Sequence, residues 1–218
     1  MKLIYHGHSC FEIVGEEEPK SIVFDPYGSG TGDLRLDISA DLALCSHDHF
    51  DHNNCSVARS CLIGYRGDKE VGSAKIKGVE TAHDPKGGAL RGRNTVYVVR
   101  YGGKIFVHLG DLGHVLSEEQ VKEILSFGRP DILLIPVGGV YTIGPDEAMK
   151  VIEQLNPRIA VPMHYKHEKL NPNIFGRLHT LDDFLGRWRG EVIRVDSNEW
   201  EIPEELPEKT KVLVLRYP

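Results

Sequence analysis

Four times along this chain a short apolar run stops at, or within two residues of, a histidine or aspartate. LALC enters SHDHFDH at residues 46 to 52, KIKGVETA ends at His83, KIFVHL is followed by Gly110 and Asp111, and RIAVP leads to His164. Apolar runs of this length bounded by turn residues read as β-strands. A fold that suits the sequence must therefore bring the ends of several strands to one rim of a sheet, and with them these side chains. In SHDHFDH the donors are His47, His49, Asp51 and His52. His47 and His49 lie two apart in an extended segment, so they point the same way and can grip one ion. Four donors within six residues cannot all wrap one tetrahedral ion without strain, so Asp51 and His52 turn toward a second. The expected sum is His47, His49 and His83 on one side and Asp51, His52 and His164 on the other, with Asp111 able to bridge. That is the outline of a two-metal hydrolytic centre. The plainer alternative, a solvated polar loop after a strand, leaves the clustering of histidines unexplained.

The rest of the chain suits such a frame. KLIYH, CFEIV and SIVFD read as consecutive antiparallel strands, and NTVYVVRY joins KIFVHL through a YGGK hairpin turn. Strand and helix then alternate. LSEEQVKEILSF has Ser117 as N-cap with Gln120 as its capping-box partner, DILLIP is a buried strand, and PDEAMKVIEQL is a helix with Pro145 at its first position. TLDDFLGRW predicts another helix, and VIRVD and KVLVLRY predict late strands. With 218 residues, 40% hydrophobic, and no linker or repeat, a single α/β domain over residues 1–218 is expected. Lys+Arg 26 against Asp+Glu 32 gives a net charge of −6, which disfavours nucleic acid and anionic membranes as partners. The first residues suggest neither a signal peptide nor a membrane span. Cys10, Cys45, Cys55 and Cys61 show no C-x-x-C spacing, so reduced, inert thiols and a cytoplasmic setting are expected.

The series SHDHFDH, TAHD, LGDLG and PMHY resembles the metal-binding motifs of the metallo-β-lactamase superfamily, in their usual order. Residues 1–14, FDPY, IGPDEA and VPMHYK resemble its branch related to ascorbate-6-phosphate lactonase and N-acyl phosphatidylethanolamine phospholipase D. The resemblance implies a four-layer αββα sandwich with metals at one edge between two sheets. It also separates this chain from relatives. The flavin-associated di-iron reductases of this scaffold put a glutamate where this chain has His49, and one subclass of true β-lactamases puts a cysteine where Asp111 stands.

These readings lead to a metal-dependent hydrolase with two divalent ions, zinc first, with Mn2+, Fe2+ or Ni2+ as alternatives. A metal-bridging hydroxide would attack an ester, lactone or phosphodiester of a small anionic metabolite, and Asp51 and Asp111 would be catalytic as well as ligating. Three further groups are candidates. His8, in the HGHS turn, resembles a histidine near the metal pocket, facing substrate or orienting a ligand; Asp25 of FDPY could orient ligands instead. His114 is a candidate general acid. Lys86, Arg91 and Arg93 form either a cationic lip or an ordinary solvated loop. His108 is expected to be packed. Two other functions compete: a nuclease or cyclic-nucleotide phosphodiesterase, and a non-enzymatic metal-binding partner protein.

Overall fold

The computed structural model describes residues 1–218. Five strands open the chain: β1 (Lys2–Gly7), β2 (Cys10–Val14), β3 (Ser21–Phe24), β4 (Ala40–Cys45) and β5 (Ala58–Ile63). They form one mixed sheet, antiparallel from β1 to β3 and parallel from β3 to β5. A second sheet comes next in the chain, with β6 (Gly67–Val71), β7 (Ala74–Ala82), β8 (Arg93–Tyr101), β9 (Lys104–His108), β10 (Ile132–Pro136), β11 (Ile159–Met163), β12 (Val192–Val195) and β14 (Lys211–Leu215). The remaining strand, β13 (Glu199–Glu201), returns to the first sheet and pairs with β1. Four helices, α1 (Glu118–Ile124), α2 (Pro145–Leu155), α3 (Pro172–Phe175) and α4 (Leu181–Leu185), all lie in the second half.

Side-chain alternation explains how the sheets stack. Leu42 and Leu44 of β4, with Phe11, Ile13, Ile22 and Phe24, join the large core shared with the second sheet. Ala43 and Cys45 point the other way, into a smaller cluster with Cys10 and Val23. Leu34, Leu36 and Ile38 of the long loop after β3 cover that cluster, so a loop rather than a helix forms the outer layer there. On the other side α2 buries Ala148, Val151, Ile152 and Leu155, a spacing that lines one helical face. Pro145 starts this helix and left-handed Asn156 ends it. Ser117 and Gln120 close the expected capping box on α1.

Strand direction decides where the donors meet. β1, β3 and β4 run the same way in the first sheet, and β7, β9 and β11 run the same way in the second. Their C-terminal ends lead to His8, Asp25, the SHDHFDH loop, His83, Asp111 and His164. Ligand sites in α/β sheets characteristically form beyond such strand ends.

Two expectations need adjustment, and three strands were not foreseen. The helix expected from TLDDFLGRW covers only Leu181–Leu185 and gives way at Gly186. The strands β5, β6 and β13 carry too little apolar pattern to be read from sequence, since backbone pairing at sheet margins is what makes them. The four cysteines are not all free thiols: Cys55 and Cys61 form a disulfide, while Cys10 and Cys45 are free and buried. A 3-10 turn at Cys55–Val57 folds the chain back onto β5 and brings the pair together, a proximity that six-residue spacing does not announce. No helix is long and apolar enough to cross a membrane.

Candidate metal centre

Backbone geometry at the rim is unusual where the donors sit. His8, Asp25 and His164 all have positive φ, at 53°, 44° and 53°. Such conformations are strained for non-glycine residues and persist only where the surroundings impose them. Here the His164 amide donates to the His8 carbonyl at 3.1 Å, tying the end of β11 to the end of β1.

The side chains fall into two groups. One ligand atom from each of His47, His49 and His83 lies within 4.8 Å of the others, and the same holds for His8, Asp51, His52 and His164. Asp111 stands between them. Its Oδ2 is 3.1 Å from His83 Nε2, 3.2 Å from His52 Nε2 and 3.8 Å from His47 Nε2, and its Oδ1 is 3.4 Å from His164 Nε2. His49 is exposed, whereas the other donors are buried.

The groups behind the donors set which nitrogen each imidazole presents. Asp25, fully buried, accepts from the Ser46 amide at 2.6 Å and the Ser46 hydroxyl at 2.7 Å, and faces His52 Nδ1 at 2.8 Å. With the Ser46 proton committed to Asp25, the Ser46 oxygen is left to accept from His47 Nδ1 at 2.8 Å. His83 Nδ1 donates to the Tyr141 carbonyl at 3.0 Å. Each of these three rings thus spends Nδ1–H outward and aims Nε2 at the centre, the pattern that orients histidine for metal. Asp25 is also within ligand distance of His47 and His52, but its oxygens are committed to orienting them.

Electrostatics follow from the same contacts. Burial, reinforced by His52, lowers the His47 pKa to about 3, and burial followed by His164 lowers that of His8 to about 4, so both rings are neutral. Burial alone would raise the Asp51 and Asp111 carboxyls. The histidines around them prevail and hold both well below the usual carboxylate range. Burial resists charge on His52, yet Asp111, Asp51 and Asp25 hold its pKa well above the ordinary imidazole value. Three carboxylates therefore demand positive charge at this point, and a divalent cation answers that demand. The donor atoms fit such ions by a second criterion. His47 Nε2, His52 Nε2 and Asp111 Oδ1 are buried without a hydrogen-bond partner, a condition that native interiors avoid unless another group satisfies them.

The remaining candidates separate clearly. His8 is fully buried, with Nε2 2.9 Å from Asp51 Oδ2, so it holds that carboxylate rather than facing a substrate. His114 is not brought to the centre: its Nδ1 donates to the Val115 carbonyl at 2.9 Å and its Nε2 accepts from the Ala82 amide at 3.1 Å. With both nitrogens engaged by backbone, it is in no position to act as the expected general acid. His108 is packed, stacked on Phe24 and donating to the Ser9 carbonyl. Of the basic loop, Arg91 lines the cavity over the donors, whereas Arg93 pairs with Glu80. Sequence reading overlooked Asn94, whose Oδ1 accepts from the Asp111 amide at 2.9 Å while Nδ2 donates to Thr81 Oγ1 and the Leu109 carbonyl. An asparagine inside a strand, where such residues are depleted, was the available signal.

The profile of the beta-lactamase superfamily domain matches residues 2–164. A UPF0173 metal-dependent hydrolase of Thermoplasma volcanium is 30% identical over 193 residues, covering 76% of this chain and 83% of its own. Another from Staphylothermus marinus is 34% identical over 193 residues, covering 74% and 82%. A crystal structure from Thermotoga maritima, assigned as a Zn-dependent hydrolase of the metallo-beta-lactamase superfamily, aligns over 99% of both chains with a TM-score of 0.76 and 38% identity. Because the matched segment runs from β1 to the last histidine of the rim, and the Thermotoga structure shares the fold over 99% of both chains, the chain belongs to the metallo-β-lactamase superfamily and is a metal-dependent hydrolase.

Proposed function

We propose that this chain is a di-zinc hydrolase, one domain over residues 1–218, that cleaves an ester, lactone or phosphodiester bond of a small anionic metabolite. His47, His49 and His83 would hold one ion and Asp51, His52 and His164 the other, with Asp111 placed between the two groups as a further ligand. The observation that carries this reading is the set of buried, unpartnered donor atoms on His47, His52 and Asp111 converging on one gap. Imidazole outnumbers carboxylate among the donors, which favours zinc over harder ions.

When bound, two such ions supply a Lewis acid for the substrate oxygen and bring the pKa of a water toward neutrality. The chain's own residues do the rest. Asp25 and Ser46 fix the rings of His52 and His47, so the donors need not reorganise as charge develops. His8 anchors Asp51 through Oδ2 and is a positioning residue, with no contact of its own to the reacting atoms. Asp111, held by Asn94 at its amide, keeps its negative charge at the floor of the cavity, where it can accept a hydrogen bond from the attacking water and orient it.

Elemental analysis of protein purified without added metal or chelator tests the reading. Near two zinc ions per chain are expected, falling in His49→Ala and Asp111→Ala. One ion or none, unchanged by either substitution and not restored by adding zinc, would overturn it.

A further inference from the structure

Above the donors lies a cavity of about 490 Å3, a size ordinary for small-molecule pockets. Its floor is the rim of histidines and carboxylates; its wall is different. Phe50, Leu90, Ile174 and Phe175 supply apolar surface, with Tyr141 and Arg91 between them. Phe50 and Leu90 are 45% and 59% exposed, and Val140, beside Tyr141, is 41% exposed. Two of the four large apolar residues that this molecule leaves in water thus line this mouth, and a third, Val140, lines an adjoining cavity that shares Leu90, Arg91 and Tyr141 with it. Exposed apolar surface concentrated at a cleft marks a binding site rather than chance.

Arg91 is the only cationic side chain lining this cavity, and it makes no ion pair. Its guanidinium lies 5.6 Å from the centre of the Tyr141 ring. The loop that carries it is built to hold it there. Asp84, 1% exposed, takes four backbone amides on its carboxylate: Lys86 at 2.8 Å and Gly88 at 3.1 Å on Oδ1, Leu90 at 2.9 Å and Arg91 at 2.7 Å on Oδ2. The Gly92 amide closes the loop on the Gly88 carbonyl, and the Gly92 carbonyl accepts from the His83 amide. One loop therefore fixes Leu90 and Arg91 at the mouth and a donor histidine at the floor.

We propose that this mouth selects its substrate, and that the substrate is an apolar acyl or aryl compound bearing a carboxylate, with the carboxylate on Arg91 and the apolar part on Phe50, Leu90, Ile174 and Phe175. The inference rests on the hydrolase reading of the floor. A planar guanidinium matches a carboxylate in a two-point bond. A phosphate dianion fits less well, because one cation stands alone and Asp48, held by Asn53, adds negative charge to the same mouth.

The test compares three p-nitrophenyl esters on the zinc-loaded protein: acetate, hexanoate, and the monoester of adipate, which pairs a similar chain with a carboxylate. It adds the binding of 5-phenylvalerate and of its amide, measured by calorimetry, so that recognition is read without turnover. Expected are kcat/KM values rising from acetate to hexanoate to adipate monoester, and 5-phenylvalerate bound more tightly than the amide. Arg91→Gln should lower the preference for the charged ester over hexanoate, and for the acid over its amide, about tenfold. Arg91→Lys should restore part of both, and Leu90→Ser should weaken hexanoate more than acetate. Equal turnover of all three esters, or acid and amide binding with unchanged preference in Arg91→Gln, would overturn the inference while leaving the hydrolase standing. Absence of binding would overturn it as well. Binding in the expected order with no hydrolysis of any ester would instead support the recognition site and remove the hydrolase reading beneath it.

Discussion

Asp111 touches more of the centre than any other side chain, with oxygens within 4 Å of four imidazoles. Asp111→Asn keeps its shape but removes its charge. Turnover is expected to fall about 100-fold or more, and metal content should fall with it. Full turnover in a metal-replete variant would exclude the role. His8 makes a subtler prediction, because it reaches the centre only through Asp51. His8→Leu should weaken metal binding about 10- to 100-fold at the group with Asp51, His52 and His164, and leave the His47 group less affected. Competition with a chromophoric chelator, resolving two classes of ion, reads this directly. The donors themselves were readable from sequence because they sit in short polar segments that open at the ends of apolar runs. Asn94 and Ser46 were not, since their importance lies in which backbone amide or ring they meet across the sheets.

At the scale of elements, the turn after β9 is the most constrained. Gly110 has φ +56°, and a Cβ there would run into Asn94 and Ser46, the two groups that hold Asp111 and His47. Gly110→Ala should cost about 2 kcal/mol or more and disturb metal binding at the same time, measured as a lowered urea midpoint and lowered zinc content. Helix α1, by contrast, stands clear of the centre. Losing its cap in Ser117→Ala should cost about 1 kcal/mol with no change in zinc stoichiometry. Helix ends and buried strands were readable because their signals are local: a serine with glutamine three residues on, or an unbroken run such as DILLIP. Strand β6, sequence GDKEV, offers no such signal; it exists because β7 presents an unpaired edge.

For the molecule as a whole, the contacts between the two sheets were the least readable part. Tyr97 of β8 donates from its hydroxyl to the Cys45 carbonyl of β4 at 3.1 Å and accepts from the Tyr65 amide at 3.1 Å, bonding across elements far apart in sequence. No local pattern announces it. Pairing of Lys2 with Glu201, which sets β13 beside β1, is equally invisible. The rim carries the same long-range character into function. His164 meets His8 across the sheets, so ions bound there join the two sheets as well as any substrate site. Chelation should therefore lower the melting temperature and zinc restore it, with a stabilisation of about 4 kcal/mol for a site at one thousand times its Kd. There is also an order built into this arrangement. The donors His47, His49 and His83 have all left the ribosome long before His164 is made, and the strands β13 and β14 that pair with β1 and β11 come later still. One group of donors is thus made while the chain is young and the other is finished only after most of it, so the two groups differ in age as well as in composition.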